Sequence, residues 1–257
     1  FGIGLSIPPG TTLDTLESIG RPDFFGQLFF DDGTAQVGSS IFIPRDFVFN
    51  VYTVSDIATA IVGPHTIKFG FDTRWMQENS DYQLETRPWF EFTSIFHFAV
   101  DDPYWHDGLV NRDPSSPDFG LYTGTPRRYR WNQWGWFVQD DWKATRNLTL
   151  NLVLRHEIFQ SPSEKGNMMA NVILGSGTSI FEKIANAGVG PVDTIYETEW
   201  TNFSPRLGIA WDPTGSGKTA VRAGFAIAYL EPYSNMWTNS SRFNPPFAAW
   251  AGTSPVL

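Results

Sequence analysis

Leu148, Leu150, Leu152 and Leu154 stand at every second position of one stretch, with Thr149, Asn151, Arg155 and Glu157 on the opposite parity. Side chains change sides at each residue only in extended backbone. The pattern therefore predicts a strand with one apolar and one polar face. Three segments repeat the device as pairs of arms around a turn. In 47–77, Phe47, Phe49, Val51, Ile57 and Ile61 share a parity on the incoming arm, against Asn50 and Asp56. After the turn signal Gly63-Pro64, Ile67, Phe69, Phe71 and Trp75 alternate with Lys68, Gly70, Asp72 and Arg74. In 129–159 the leucine arm follows a less regular one, where Trp134, Trp136, Val138 and Trp142 agree but Asp140 interrupts and Phe137 sits opposite. In 203–230, Phe203, Leu207, Ile209 and Trp211 precede the turn, and Val221, Phe225, Ile227 and Tyr229 follow it, alternating with Arg206, Gly208, Arg222 and Gly224.

Length decides what kind of strand this is. Each arm has ten or more residues, whereas a strand of a water-soluble domain has about 5–6 and a tilted membrane-crossing strand about 9–11. Connections point the same way. The turns inside the three hairpins are tight, while polar stretches of 79–128, 160–201 and 231 onward separate or follow them. Outer-membrane barrels pair short periplasmic turns with long extracellular loops, and compact soluble domains seldom carry several loops beyond about 15 residues.

The predicted fold class is thus all-β: an antiparallel up-and-down transmembrane barrel, of which this chain is a fragment, open as a curved sheet. Residues 1–257 form part of one barrel domain, and both ends read as cuts within a longer protein. Because the first two hairpins turn on the same side, an even number of strands belongs between them. WFEFTSIFHF at 89–98 and FGLYTG at 119–124 fit that pair, leaving extracellular loops at about 79–88, 160–201 and 231–250. Trp142 and Trp211 at the turn ends, with Trp75 and Tyr229 near the loop ends, suit the two interfacial girdles of such a barrel.

Composition closes off other classes. There is no cysteine, hence no disulfide framework, thiol nucleophile or Cys-ligated zinc. A net charge of −9 supplies no basic field for a nucleic-acid backbone. No run of about 18 apolar residues provides a membrane helix.

Within this frame QDDWKATRNLTLNLVLRHE and NFSPRLGIAWDPTGSGKTAVRAGFAIAY resemble the TonB-dependent receptor barrels of the Oar-like kind. The shared signatures run in order over residues 46–230: Gly63, His65, Lys68, Phe69 and Gly70; FVQDDWK at 137–143; NLTLNLVLRHE at 147–157; the PRLG run at 202–213; and GKT with its sequel at 217–229. Val153 stands where the family usually has Gly, and His156 where it has Tyr. The resemblance implies a barrel of about 22 strands with an N-terminal plug, neither the plug nor a TonB box lying in this chain. It implies energised uptake of a large or scarce ligand, and it implies as partners the plug, the TonB complex and outer-membrane lipid. Surface adhesion and protein export are also associated with the family.

Candidate sites are few. GSGKT at 215–219 lacks the phosphate-loop glycine, since position 212 is Asp, so a tight turn is the stronger reading. His156 and Glu157 project to opposite sides of a strand, and His65, His97 and His106 show no ligand spacing, so no metal or other cofactor is expected. Asp101-Asp102 and Asp140-Asp141 likewise read as solvated or lumenal acids, and no catalytic site is expected. Tyr104, Trp105, His106, Tyr233 and Trp237 mix rings with polar neighbours and are candidate loop contacts to an extracellular glycan, peptide or siderophore-like ligand; mutual packing of the loops is the competing role. Lys68, Asp72, Arg74, Arg155, Glu157, Arg206 and Arg222 are candidate lumen-facing residues, paired across strands or docking the plug. The expected function is a non-enzymatic receptor or transporter barrel. A structural or adhesive barrel and a soluble β-rich glycan-binding domain are the alternatives.

Overall fold

The computed structural model describes residues 27–38, 40–43, 45–82, 89–100, 102–112, 117 and 125–253, without the side chains of Tyr82, His106, Asp107, Val110 and 251–253. In chain order its strands are β1 (Gln27–Phe30), β2 (Arg45–Val62), β3 (His65–Tyr82), β4 (Trp89–Phe92), β5 (Trp105–Asn111), β6 (Thr125–Thr145) and β7 (Leu148–Phe159). They continue as β8 (Ser163–Glu164), β9 (Ala170–Ile173), β10 (Gly188–Pro191), β11 (Asn202–Trp211), β12 (Val221–Ala226) and β13 (Ala248–Thr253). Helices α1 (Ile95–Ala99), α2 (Ile180–Ala185) and α3 (Ser234–Arg242) are short.

The main sheet is antiparallel, with spatial order β12-β11-β7-β6-β3-β2 and β8 added beside β6. Among the described residues β2 and β12 have no further neighbour, so the sheet is an open wall. Its three hairpin turns lie at one end. Gly63 takes a positive φ of 57° between β2 and β3, a conformation that a side chain disfavours. At the β11–β12 turn the Asp212 carboxylate accepts from the amides of Thr214, Gly215 and Gly217, and these bonds hold its pKa below the ordinary carboxylate range. GSGKT is therefore a turn folded around an aspartate. Neighbouring turns are tied together, Lys143 N to Pro64 O at 2.9 Å and Asp212 N to Asn147 O at 2.8 Å.

Direct partners in an antiparallel ladder share a face, so the register sorts the whole wall. One face carries Ile67, Phe69, Phe71 and Trp75, then Val138, Trp136 and Trp134, then the four leucines of β7, then Leu207 and Ile209. Among the described residues no second layer packs over this face, and its side chains are partly to largely exposed: Phe69 by 53% and Leu152 by 39%. Such a band is stable only against hydrocarbon, and its reach from Ile67 to Trp75 matches a tilted crossing. No helix among the described residues is long and apolar enough to cross a membrane; the strands do the crossing. The opposite face holds Lys68, Asp72, Arg74, Gln139, Asp141, Arg155, Glu157 and Arg206, the polar lining of a lumen.

Two expectations are corrected. The strand pair placed at 89–98 and 119–124 does not enter the wall. β3 pairs directly with β6, from Tyr82–Thr125 at one end to His65–Trp142 at the other, and leaves no gap. WFEF forms β4 of a separate sheet, SIFHF turns into α1, and 119–124 lies outside the described residues. Direct pairing of β3 with β6 satisfies the same parity as an intervening pair, since zero is also even. The second correction concerns β2. Eighteen continuous pairs with β3 put Phe47, Phe49, Val51 and Ile57 on the lumenal side. Val48, Tyr52, Val54 and Val62 share the lipid side with Asn50 and Asp56. Both parities of β2 are largely apolar, so its own pattern is ambiguous and the register of β3 decides.

The second sheet has the order β1-β4-β5-β13 and sits at the loop end. Three distant parts of the chain build it. Leu28, Phe30, Phe90 and Phe92 form its buried side, with Phe98 of α1 packed on them.

Candidate functional site

Strand pairing alone brings the lumenal charges together. Arg155 on β7 donates to Asp72 on β3 at 2.9 Å, reaching across β6, and its Nε lies 3.0 Å from Glu157. Gly135 on the intervening strand permits this. A Cβ there would stand 2.6 Å from Arg155 Nη2 and 3.0 Å from Asp72 Oδ1. Nearer the turns, Lys68 lies 3.6 Å from Asp141, which also accepts from Gln139 and Asn151. Arg74, Arg206 and Arg222 are exposed on the same face, with no acidic partner among the described residues. The seven candidate lumenal residues thus divide: Lys68, Asp72, Arg155 and Glu157 are paired, whereas three arginines are available.

The outer end of the lumenal face is covered. α3 folds back from beyond β12 and lays Trp237 against Tyr129 and Trp131, edge to face, at ring distances of 5.1 and 4.9 Å. Met76 and Met169 complete the cluster. Arg242 at the end of α3 is wholly buried. Its guanidinium lies 3.5 Å from Glu78 and 5.7 Å from the Tyr129 ring, and Arg127 donates to its carbonyl at 3.1 Å. Asn244 further ties this segment to the 160–201 excursion through Ala170 O, at 2.9 Å. The stretches predicted as long loops are thus folded and joined over the outer mouth.

The five candidate loop contacts separate accordingly. Trp237 is 4% exposed and offers nothing to a ligand in this arrangement. Tyr233, at the start of α3, is exposed. Tyr104 and Trp105 lie together at the start of β5, partly exposed, with Tyr104 Oη donating to Glu91 Oε2 at 2.7 Å. His106 is placed by backbone pairing with Phe90, and its side chain lies outside the described residues. Sequence reasoning did not single out Arg242, Glu91 or Phe29. Arg242 sits in a polar stretch with no apolar period, and the others gain meaning only through non-local pairing.

The histidines hold structural positions. His65 pairs with Asp140 at 2.7 Å and stacks on Trp142 at the turn end of the lipid face. His156 stacks on Phe203 and contacts Trp200 O at 2.8 Å. No group of three metal-ligating side chains occurs among the described residues.

An antiparallel sheet with an uncovered apolar band, a charged reverse face, tight turns at one end and folded loops at the other defines the wall of a membrane-spanning β-barrel. Residues 6–255 match the family model of the outer membrane beta barrel domain, and the chain belongs to that family. It is therefore a protein of the bacterial outer membrane. No curated protein and no solved structure matches it.

Proposed function

We propose that this chain forms wall and outer loops of a TonB-dependent receptor of the Oar-like kind, which takes up a large or scarce ligand without chemical conversion. The supporting observation is the lumenal face. Its paired charges stiffen the wall, while Arg74, Arg206 and Arg222 remain free to engage an occupant. A plug domain with acidic groups opposite those arginines is the occupant this reading requires. The ordered motifs agree with it, since Gly63 and the junctions between the motifs at 143–147 and 213–217 lie at the three hairpin turns, the periplasmic end in this reading. Binding of the full-length protein to the purified periplasmic domain of TonB tests the assignment. Saturable binding is expected, and its absence in a folded preparation contradicts the transport reading.

One observation favours the adhesive alternative. The 160–201 excursion presents Phe181 (80% exposed), Ile184 and Val189 to the outside, on a tip whose helix is capped by Ser179. Loss of cell–cell adhesion in a Phe181→Asp strain with unchanged uptake would favour that role.

A further inference from the structure

The two sides of the outer sheet differ in a way that its folding does not require. One side is the phenylalanine cluster under α1, with Phe92 1% exposed. The other is partly open at the end where β1, β4 and β5 run side by side. There Phe29, Glu91 and Trp105 form one row, each the direct neighbour of the next. Trp89, two residues from Glu91 on the same strand, meets Phe29 edge to face at 5.2 Å. Tyr104 closes the row by donating to Glu91 Oε2 at 2.7 Å. That bond and the nearby Asp31 push the Tyr104 pKa up, so the phenol keeps its proton.

We propose that this row is a binding platform for a neutral glycan on the outer surface of the protein. Three chemical features carry the assignment. Rings set along a sheet present faces and edges on which the C–H side of a sugar ring rests. Glu91 is half-buried between two of those rings and has one carboxylate oxygen left to accept a sugar hydroxyl. Such an acceptor in an apolar surround discriminates strongly between a ligand that supplies the hydroxyl and one that does not.

Charge selects among ligands. The carboxylates described at this end are Asp31, Asp32, Glu91 and Asp102, Tyr104 is neutral, and the row itself holds no lysine or arginine. Among the described residues of the row, an anionic polymer or phosphate would meet like charge. A quaternary ammonium would be drawn to the carboxylates, but it needs rings converging around a point, whereas this row is spread along a sheet. The proposal deepens the receptor reading by naming a ligand class, yet it does not depend on TonB coupling.

The test uses the full-length protein in detergent micelles, with tryptophan fluorescence and calorimetry as readouts. The probes are a panel of neutral hexasaccharides (malto-, cello-, laminari- and chito-series), with hexyltrimethylammonium and a sulfated glycan as contrasts. At least one neutral hexasaccharide should bind saturably. Trp105→Ala and Glu91→Gln should each weaken it tenfold or more, while the unheated protein keeps the electrophoretic mobility of a folded barrel. Phe29→Leu, which keeps the apolar volume and removes the ring, should weaken it by a smaller factor. Failure of the whole neutral panel to bind overturns the proposal. So does binding that survives Trp105→Ala, or binding confined to the ammonium or the sulfated glycan. TonB binding in the same preparations reports separately on the receptor reading.

Discussion

The wall and the outer sheet are built by the same rule and use it with opposite sign. In the wall the apolar parity is turned outward, where Phe69 and Leu152 touch their strand neighbours and are otherwise exposed. In the outer sheet the apolar parity is turned inward, and Phe90 and Phe92 are sealed against α1. Water is the solvent of the second and hydrocarbon that of the first. An alternating strand therefore states that it has two unlike faces, and strand length and neighbours state which solvent each one meets.

Perturbations should break the two regions differently. The largest effect is expected where they are joined. Arg242→Ala removes the cation beside Glu78 and leaves that carboxylate buried. Breaking a buried pair costs about 3–5 kcal/mol. The expected result is release of α3 and of the outer sheet's β13, seen as protease cleavage in 231–253, with the wall still resistant.

Next comes a contrast within the wall. Leu154→Arg, on the lipid side between Val138 and Pro205, should cost about 2–4 kcal/mol in urea unfolding from vesicles. Gln139→Arg, on the lumenal side beside Asp141, should change stability by less than about 1 kcal/mol. Equal penalties would erase the distinction between the faces.

A smaller effect is expected from Gly135→Ala, whose Cβ would displace the Arg155–Asp72 contact. That pair is partly open to water, so its loss should cost no more than about 1 kcal/mol. Crosslinking across β3, β6 and β7 should show the register unchanged.

The smallest concerns the turn at Asp212. Its pKa is lowered in the folded state by the amides of the turn. A lowered pKa means that folding favours the ionised form. The contribution is complete above the ordinary carboxylate range and is lost as pH falls through the depressed value. Asp212→Asn should remove this acid-side dependence from the hydrogen exchange of Gly215 and Gly217, and leave exchange near neutral pH only slightly faster.

What the sequence discloses follows from how many environments each segment meets. β7 meets only lipid and lumen, so its leucines show the face directly. The turn at 212–217 is equally local, since Asp212 binds amides within five residues. β2 is ambiguous, because its lumenal Phe49 packs on Trp131 while Val48 and Tyr52 face outward. WFEF looks like any other strand, and its partners, 27–30 and 105–111, are far away in the chain. Trp237 looked like a ligand contact because loop aromatics among polar residues also serve as anchors. Only the fold-back of α3 shows what it touches. The lumenal candidates were legible by parity, but the division into paired and free arginines depends on reach across a glycine, which no periodicity records.

The central claim, that one face of the wall meets lipid and the other a lumen, is most directly tested along β7. These 257 residues contain no cysteine, so single cysteines at 148–155, introduced one at a time into the full-length protein in vesicles after replacement of any cysteine elsewhere, report on β7 alone. Labels at Leu148, Leu150, Leu152 and Leu154 should be quenched by lipid-borne quenchers and shielded from a water-soluble one. Labels at Thr149, Asn151, Val153 and Arg155 should show the reverse. Equal water access on both parities, or the opposite alternation, would contradict the account.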